Sequence, residues 1–320
     1  MKGIHHITVS NSTVKYDFDI RRNITIIKGD SATGKTTLVE LINEYYESGA
    51  DSGVTLICDK TCRVIAGRDW NTVLSTITDS IVFIDEDNSF LTSYDFAEVV
   101  RESDNYYVLV TREGLVNLPY SVDEIYGIRT SGKYAGLKQS YHEFYHIYGD
   151  HKPQNAINPD TVVVEDSNSG YDFFSNISKD KSYSVVSAGG KTNVFKTVSE
   201  DAEGNVVVIA DGAAFGAEMD RMMKYVSRHK NITLYLPESF EWLLLTSNLL
   251  QWGEVHKVLE NPSDYIESSE YFSWERFFTH LLIEKTQNTF LQYSKKSLND
   301  AYLQKSVVDK ILTKIHDIKL

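Results

Sequence analysis

The sequence predicts an α/β protein in which apolar, strand-like runs alternate with amphipathic helical stretches. Three observations lead to this prediction: a glycine-containing loop between a strand pattern and a helix pattern, an apolar run ending in two acids at residues 85 and 86, and a restart of the alternation near residue 160. Such alternation is typical of mainly parallel sheets covered on both faces. We therefore expect an N-terminal parallel-sheet domain, a second and smaller α/β domain, and a helical C-terminal tail.

The predicted elements of the first half begin with an antiparallel hairpin, formed by residues 4–9 and 14–19 and turned at Asn11-Ser12. Apolar runs predict further strands at 24–28, 54–58, 63–66, 81–84 and 106–110. Amphipathic spacing predicts helices at 37–46, 71–78 and 94–102. The polar segment 148–155 contains glycine and proline, so it predicts a linker and a first domain spanning 1–150.

The glycine-containing loop matches the phosphate-binding pattern G-x-x-x-x-G-K-[ST]. Its expected nucleotide-binding residues are Gly29, Asp30, Ser31, Ala32, Thr33, Gly34, Lys35, Thr36 and the adjacent Thr37. The glycines let successive backbone N–H groups and the following helix N-terminus surround a polyphosphate. Lys35 is expected to reach the β- and γ-phosphates, and the Thr36 hydroxyl to hold Mg²⁺. The loop therefore predicts ATP and Mg²⁺ as ligands.

The paired acids supply the second half of such a site. Asp85 is the expected support for the Mg²⁺, and Glu86 the expected group that orients or deprotonates the attacking water. Lys35 and Glu86 are thus the predicted catalytic residues. The strand pattern at 106–110 ends in Thr111 and Arg112, and either could sense the γ-phosphate there. The alternative is a strand that ends in solvated polar residues.

Together, the loop and the paired acids resemble those of P-loop ATPases. The leading hairpin is similar to the ATP-binding-cassette heads that overcoming-lysogenization-defect nucleases carry, whereas the short spacing from the loop to Asp85 resembles a compact AAA- or RecA-like core. The resemblance implies ATP hydrolysis and leaves open a homo-oligomer with an arginine finger contributed across the subunit interface. Candidate fingers are Arg21, Arg22, Arg68 and Arg112.

The second half predicts strands at 161–165, 183–190, 206–211 and 231–236, with a helix at 171–177 and another before residue 206. This order resembles the Toprim domain of topoisomerases, primases and overcoming-lysogenization-defect nucleases. Glu165 and Asp211 match the first two acids of that family and imply a Mg²⁺ site, and Gly189-Gly190 match its middle glycine turn. We expect this Toprim-like domain at 158–240 and a helical region at 241–320.

The match to the Toprim pattern is incomplete. Ala213 stands where the second Asp of D-x-D is expected, and a site that lacks a carboxylate there holds two metal ions poorly. Asp166 or Asp220 could substitute only if the fold brings one of them inward. The alternative is an ordinary parallel domain whose Glu165 and Asp211 are simply acids at strand ends.

Composition limits the classes of function. The 320-residue chain carries a formal net charge of −13, which disfavours broad, sequence-independent binding of nucleic acids. It has no apolar run near the roughly 20 residues that cross a bilayer, and its N-terminus lacks a leader pattern. Cys58 and Cys62 fit neither a disulfide framework nor a standard zinc pair. We therefore expect a cytoplasmic protein with no membrane partner.

Two further patterns are ambiguous. His142, Glu143 and His146 match H-E-x-x-H, which on a helix binds zinc; the simpler interpretation is an aromatic helix that closes the first domain. In the tail, core packing explains Trp242, Trp252, Trp274, Phe277 and Phe278 better than base stacking. Lys295, Lys296, Lys305, Lys310, Lys314 and Lys319 form a basic stretch, either a solvated helix face or a contact to a partner.

Two functions are therefore predicted. In the first, an ATPase domain controls a Toprim-like domain that processes or binds nucleic acid, as the resemblance to phage-defence and mobile-element nucleases implies. In the second, the Toprim-like domain is catalytically inactive, and ATP switches an interaction with a protein partner.

Overall fold

The structure, a computed structural model, describes residues 1–30, 33–131, 139–149, 157–200, 203–249, 253–316 and 318–320. Ser31 and Ala32 of the glycine-containing loop lie outside the described residues, as do Trp252 and most of the predicted linker. The chain divides into two compact units. Unit 1 comprises Met1–Gly149 and Asn261–Ser273, and unit 2 comprises Asp150–Glu260 and Trp274–Leu320.

Unit 1 is built on a nine-stranded sheet. Its strands are β1 (His5–Ser10), β2 (Val14–Ile20), β3 (Ile24–Lys28), β4 (Thr55–Ile57), β5 (Thr61–Val64), β6 (Ser80–Ile84), β7 (Tyr106–Val110), β8 (Ile125–Thr130) and β9 (Ser140–His146). Their order across the sheet is β4-β1-β2-β9-β8-β3-β7-β6-β5. The predicted hairpin is confirmed as β1 and β2, and the Asn11 carboxamide accepts N–H bonds from Thr13 and Val14 at its turn.

This sheet is mixed rather than parallel throughout. The five strands from β8 to β5 run parallel to one another, whereas β1 pairs antiparallel with β2 and β4, and β9 pairs antiparallel with β8. The prediction of a parallel sheet is therefore correct for the part that follows the βα alternation. It fails at the other end, because the N-terminal hairpin and β9 join the same sheet.

Helices cover both faces of the unit 1 sheet. They are α1 (Lys35–Ser48), α2 (Trp70–Leu74) and α3 (Tyr94–Glu102). The apolar side of α1 packs in one core with Ile7, Phe83 and Val108, and each such side chain contributes about 1.5–3 kcal/mol when buried. On the opposite face, the rings of Trp70, Phe90, Phe96 and Tyr107 pack against one another.

A C-terminal segment, Asn261–Ser273, completes unit 1. The Gly3 N–H donates to the Ser263 carbonyl at 2.8 Å, and the Asn23 side chain donates to the Phe272 carbonyl at 2.9 Å. The N-terminal ammonium group pairs with Glu267. These contacts join positions more than 240 residues apart in sequence, and no sequence pattern indicated them.

The helix predicted around His142 is wrong, because these residues form strand β9. Along a strand, side chains four residues apart are separated by roughly 13 Å, too far for two imidazoles to share one zinc ion. The His142 ring stacks on Tyr16 with centroids 4.7 Å apart, and the His146 ring lies 4.5 Å from that of Tyr126. The H-E-x-x-H match is therefore a coincidence of sequence in a strand.

Unit 2 is built on a four-stranded parallel sheet in the order β11-β10-β12-β13. The strands are β10 (Thr161–Val164), β11 (Ser184–Ser187), β12 (Val206–Ile209) and β13 (Ile232–Tyr235). Its helices are α4 (Ser169–Ile177), α5 (Lys191–Glu200), α6 (Met219–Val226), α7 (Phe240–Thr246), α8 (Val255–Glu260), α9 (Trp274–Thr286) and α10 (Lys305–Leu312). β10 and β12 are fully buried apolar strands, as their sequences predict for the centre of a parallel sheet.

The helices after residue 240 belong to unit 2 rather than forming a separate body, apart from the segment that joins unit 1. Trp274, Phe277 and Phe278 are buried in α9, which confirms core packing for these three aromatics.

Cys62 is buried and Cys58 partly buried, both as free thiols. Among the described residues, no helix is long and apolar enough to cross a membrane.

Candidate functional site

The glycine-containing loop leaves the carboxyl end of β3 and enters α1 directly. Gly29 and Gly34 have φ angles of 137° and 94°, in the region that glycine occupies without strain. Helix α1 begins at Lys35, two residues before the predicted start. Among the described residues, no side chain caps its N-terminus and no acid lies in its first turn. The first backbone N–H groups of α1 therefore have no described side chain that competes with an anion for them.

Tyr16 contacts this loop at Gly34. No sequence pattern indicated that Tyr16 belongs to the site. Its hydroxyl group donates to the Gly34 carbonyl at 2.8 Å, and its ring is fully buried against His142. A Cβ atom at residue 34 would lie 2.6 Å from the Tyr16 hydroxyl oxygen. Gly34 is thus required twice, by its backbone angle and by the close approach of Tyr16. No local pattern links these residues, because β2 and the loop meet only through the fold.

The Lys35 side chain lies folded into the loop. Its ammonium group donates to the carbonyls of Gly29 at 2.8 Å and Asp30 at 2.6 Å, and the residue is 5% exposed. The Thr33 hydroxyl lies 3.3 Å from the same ammonium group. A lysine held in this way stays in the loop as a fixed positive charge. A phosphate that entered would exchange neutral carbonyl acceptors for anionic ones, which form stronger bonds with ammonium.

Glu86 is held by Arg112. The Arg112 guanidinium donates from Nε and Nη2 to both carboxylate oxygens of Glu86, at distances of 2.6 to 3.1 Å. These bonds lower the pKa of Glu86, with the charge of Lys35 adding to the effect. The two residues follow β6 and β7, neighbouring parallel strands whose carboxyl ends meet at one edge of the sheet. The sequence named both residues but gave no sign that they pair.

A pocket of about 250 Å³ joins these elements. It is lined by Thr33, Gly34, Lys35, Thr36, Thr37, Glu86 and Arg112. The Glu86–Arg112 pair also borders a second pocket, of about 460 Å³, that extends over Asp87 to Thr92 and Thr111 to Glu113. The structure therefore brings the end of the predicted loop together with Glu86 and Arg112.

Asp85 occupies a neighbouring position. Its Oδ1 atom accepts the Glu86 N–H at 2.8 Å, and it lines a groove beside α1 with Val39, Glu40 and Asn88, among other residues. It lies at the carboxyl end of β6, which is separated from β3 by β7. Thr111 is the other residue that the sequence offers as a sensor of the γ-phosphate. Its hydroxyl group donates to the Glu113 carbonyl at 3.1 Å.

Of the candidate arginine fingers, Arg22 is structural. It is 6% exposed, and its Nε lies 3.4 Å from Glu124 Oε1 in the interior of unit 1. Arg21 lies 3.8 Å from the same carboxylate oxygen. A guanidinium buried in its own unit cannot extend into a neighbouring subunit. Arg68 is exposed before α2, and Arg112 engages Glu86.

In unit 2, Glu165 and Asp211 follow β10 and β12, which are adjacent parallel strands. The Asp211 N–H donates to Glu165 Oε2 at 2.9 Å, and Asp211 Oδ1 accepts the Phe240 N–H at 3.1 Å. The two acids thus meet at the carboxyl edge of the sheet. Glu165 and Asp211 line a small cavity of about 20 Å³. Asp166 lines this cavity too, and its Oδ1 accepts the Tyr171 N–H.

Burial dominates the electrostatics of these acids. It raises the pKa of Glu165 to about 7 and the pKa of Asp211 well above its usual range, and the neighbouring carboxylates of Glu275 and Glu241 reinforce the shift of Asp211. Ala213 is buried and contributes no side-chain oxygen, and Asp220 lies in the first turn of α6. The edge of the sheet therefore favours protonated or internally paired carboxyl groups.

Four residues near Asp211 were not recognised as site residues from the sequence: Glu241, Glu275, Tyr293 and Lys295. Tyr293 donates to Glu241 Oε1 at 2.8 Å, and Lys295 donates to Glu275 Oε1 at 2.5 Å. The sequence predicts Lys295 in a basic stretch, either a solvated helix face or a contact to a partner, whereas its ammonium group donates to Glu275. Spacing in sequence gave no signal, because α7, α9 and the segment after α9 converge only in the fold.

Among the residues that the structure describes, no group of three or more His, Cys, Asp or Glu side chains is arranged to hold a metal ion. Neither a protein-family model nor a curated protein matches this chain.

Proposed function

We propose that unit 1 binds a nucleoside triphosphate, ATP in the simplest case, together with Mg²⁺, and hydrolyses it. The observation that supports this most is one pocket in which the loop, the uncapped N-terminus of α1, Lys35, Glu86 and Arg112 meet. The start of α1, the Lys35 side chain and the Glu86–Arg112 pair all border this pocket. This arrangement suits a phosphate chain attacked by water at its end.

In this proposal each side chain has one task. The N–H groups at the start of α1 and the Lys35 ammonium bind the phosphates, and Glu86 orients the attacking water and accepts its proton. Thr36 and Asp85 are the oxygen donors that would hold Mg²⁺. The ion, when bound, supplies charge neutralisation of the phosphates.

Arg112 adds a step that only the structure suggests. While it pairs with Glu86, that carboxylate has a lowered pKa and is a poor base. A γ-phosphate beside Lys35 would compete with Glu86 for the guanidinium, because phosphate also accepts bidentate bonds from arginine. Binding of the triphosphate would then free Glu86 for the attacking water, whereas a diphosphate would leave the pair intact.

We expect Arg112→Gln to remove most of the preference for ATP over ADP. The ratio of the two dissociation constants should fall about tenfold, since one charged contact to the γ-phosphate is lost while ADP never makes it. Calorimetric titration with each nucleotide gives the ratio, and Arg68→Gln is a matched control on the same unit. An unchanged ratio would mean that Arg112 does not contact the γ-phosphate.

The proposal itself is tested by titrating Mg²⁺-ATP into the wild-type protein and into Lys35→Ala. The wild type should bind, and the variant should lose at least about tenfold in affinity, or about 1.4 kcal/mol, because the fixed charge in the loop is gone. Lys60→Ala removes a lysine paired with Asp79 elsewhere in unit 1 and should leave affinity unchanged. Absence of binding by the wild type would refute the nucleotide site.

For unit 2 two functions remain in competition. As a nucleic-acid-processing domain it would use Glu165 and Asp211 at a Toprim-like Mg²⁺ site, under control of the nucleotide in unit 1. As an inactive domain it would take part in an ATP-dependent interaction with a protein partner. The burial of Asp211, the cavity of about 20 Å³ and the missing oxygen at Ala213 favour the second. We therefore propose the interaction switch, in a cytoplasmic protein.

We expect the full chain to show no metal-dependent cleavage of plasmid or single-stranded DNA, with or without ATP. Asp211→Asn, which keeps the shape of the buried side chain, should alter neither DNA integrity nor ATP turnover. Gel assays with Mg²⁺ and Mn²⁺ provide the measurement. Cleavage by the wild type that Asp211→Asn abolishes would instead establish the nucleic-acid-processing function.

A further inference from the structure

The carboxylates of Glu165, Asp211, Glu241 and Glu275 form a cluster in unit 2. This cluster contains its own cation. Lys295 lies in the segment that follows α9 in the chain. Its Nζ donates to Oε1 of Glu275, a residue of α9, at 2.5 Å. Its backbone carbonyl accepts the Ser169 N–H at 3.2 Å, so the segment is also fixed to the start of α4. The Lys295 side chain is about one-third exposed and that of Glu275 about one-fifth, so the pair is partly shielded from water.

The surrounding charges are those that a cation would neutralise. Burial alone would lower the pKa of Lys295, but Glu241, Glu275 and Asp211 together raise it above its ordinary value. Glu241 is 2% exposed and is held by the Tyr293 hydroxyl, which also bonds to Ser169. Lys191 has a similar effect on Glu165. Burial raises the pKa of Glu165, and the positive charge of Lys191 lowers it.

The residues that the Toprim resemblance assigns to Mg²⁺ do not fit that ion. Magnesium takes six oxygen ligands at close range and keeps several of its waters. The cavity beside Glu165 and Asp211 measures about 20 Å³, which is room for about one water molecule. One oxygen of each carboxylate already accepts a backbone N–H, and Ala213 supplies no further oxygen.

We propose that the Lys295 ammonium group is the resident cation of this cluster, in the role that the resemblance gives to magnesium, and that unit 2 works without a divalent metal. Glu275 is then its direct hydrogen-bonding partner, and Glu241 and Asp211 act on it through their charge. Unit 2 on this view is a binding module. The inference is independent of the nucleotide proposal, because none of its residues lies in unit 1.

The test measures Mn²⁺ binding to the nucleotide-free full chain by electron paramagnetic resonance, at Mn²⁺ concentrations up to about 1 mM. The wild type and Lys295→Arg should bind no Mn²⁺ ion at this cluster. Adding Asp211→Asn to either protein should therefore leave the number of bound Mn²⁺ ions unchanged. Lys295→Met keeps the length of the side chain and adds neither space nor oxygen ligands to the cavity, so it should bind no such ion either. An ion bound by the wild type and removed by Asp211→Asn would overturn the proposal.

Thermal unfolding tests whether Lys295 is the counter-ion of this cluster. Removing one partner of a shielded ion pair leaves the other charge unpaired, whereas removing both relieves that cost. Lys295→Met/Glu275→Gln should therefore unfold at a higher temperature than Lys295→Met. A double variant that unfolds at the same temperature as Lys295→Met, or at a lower one, would show that Lys295 is not the counter-ion of this cluster.

Discussion

ATP turnover by Glu86→Gln should fall by about two orders of magnitude, while Mg²⁺-ATP binds to this variant at least as tightly as to the wild type. Glutamine keeps the size of the side chain and an oxygen that accepts a bond from Arg112. It cannot take a proton from water, so the loss should appear in kcat and not in binding. Steady-state phosphate release and calorimetry on the same preparation separate the two quantities.

The matched control is Glu113→Gln, the same chemical change on a residue that lines the neighbouring pocket but not the one around Lys35. Its turnover should equal that of the wild type. If Glu86→Gln turned over ATP at the wild-type rate, the base would have to be another residue, and Asp85, at the end of the same strand, would be the next to test.

The second large effect concerns stability and pH. Burial raises the pKa of Glu165 from 4.5 to about 7, which means that the fold favours the protonated carboxyl group. The stabilisation this gives is complete below pH 4.5, declines as the pH rises, and is lost above pH 7; it amounts to about 3 kcal/mol. Glu165→Gln mimics the protonated group at every pH. The variant should match the wild type near pH 4.5 and exceed it by about 3 kcal/mol at pH 8.

Urea unfolding followed by tryptophan fluorescence at both pH values measures this difference. Glu254→Gln, an exposed glutamate of the same unit, should change the free energy of unfolding little at either pH. A Glu165→Gln protein that is less stable than the wild type at pH 8 would show that the ionised carboxylate is the favoured form, held by Lys191.

Local chemistry explains why parts of the fold could be predicted. Residues 24–28 and 106–110 are apolar runs bounded by polar residues, and both are strands with those bounds. Helix α3 has the predicted bounds 94–102, since the Ser93 hydroxyl caps it by accepting the Phe96 N–H. Residues 140–146 were misassigned because aromatic residues in a short polar run suit a helix or a strand, and pairing with β2 and β8 decides between them.

The sequence by itself determined the βα alternation, the loop from Gly29 to Thr36, and the acids at the ends of β6, β10 and β12, because each depends on side-chain chemistry within a few residues. The tertiary structure alone decided what those groups contact. It paired Glu86 with Arg112, placed Tyr16 beneath Gly34, and turned Lys295 toward Glu275. The physical reason is that hydrogen bonds and ion pairs depend on distances of about 3 Å in space, which sheet order and helix packing set between residues far apart in the chain.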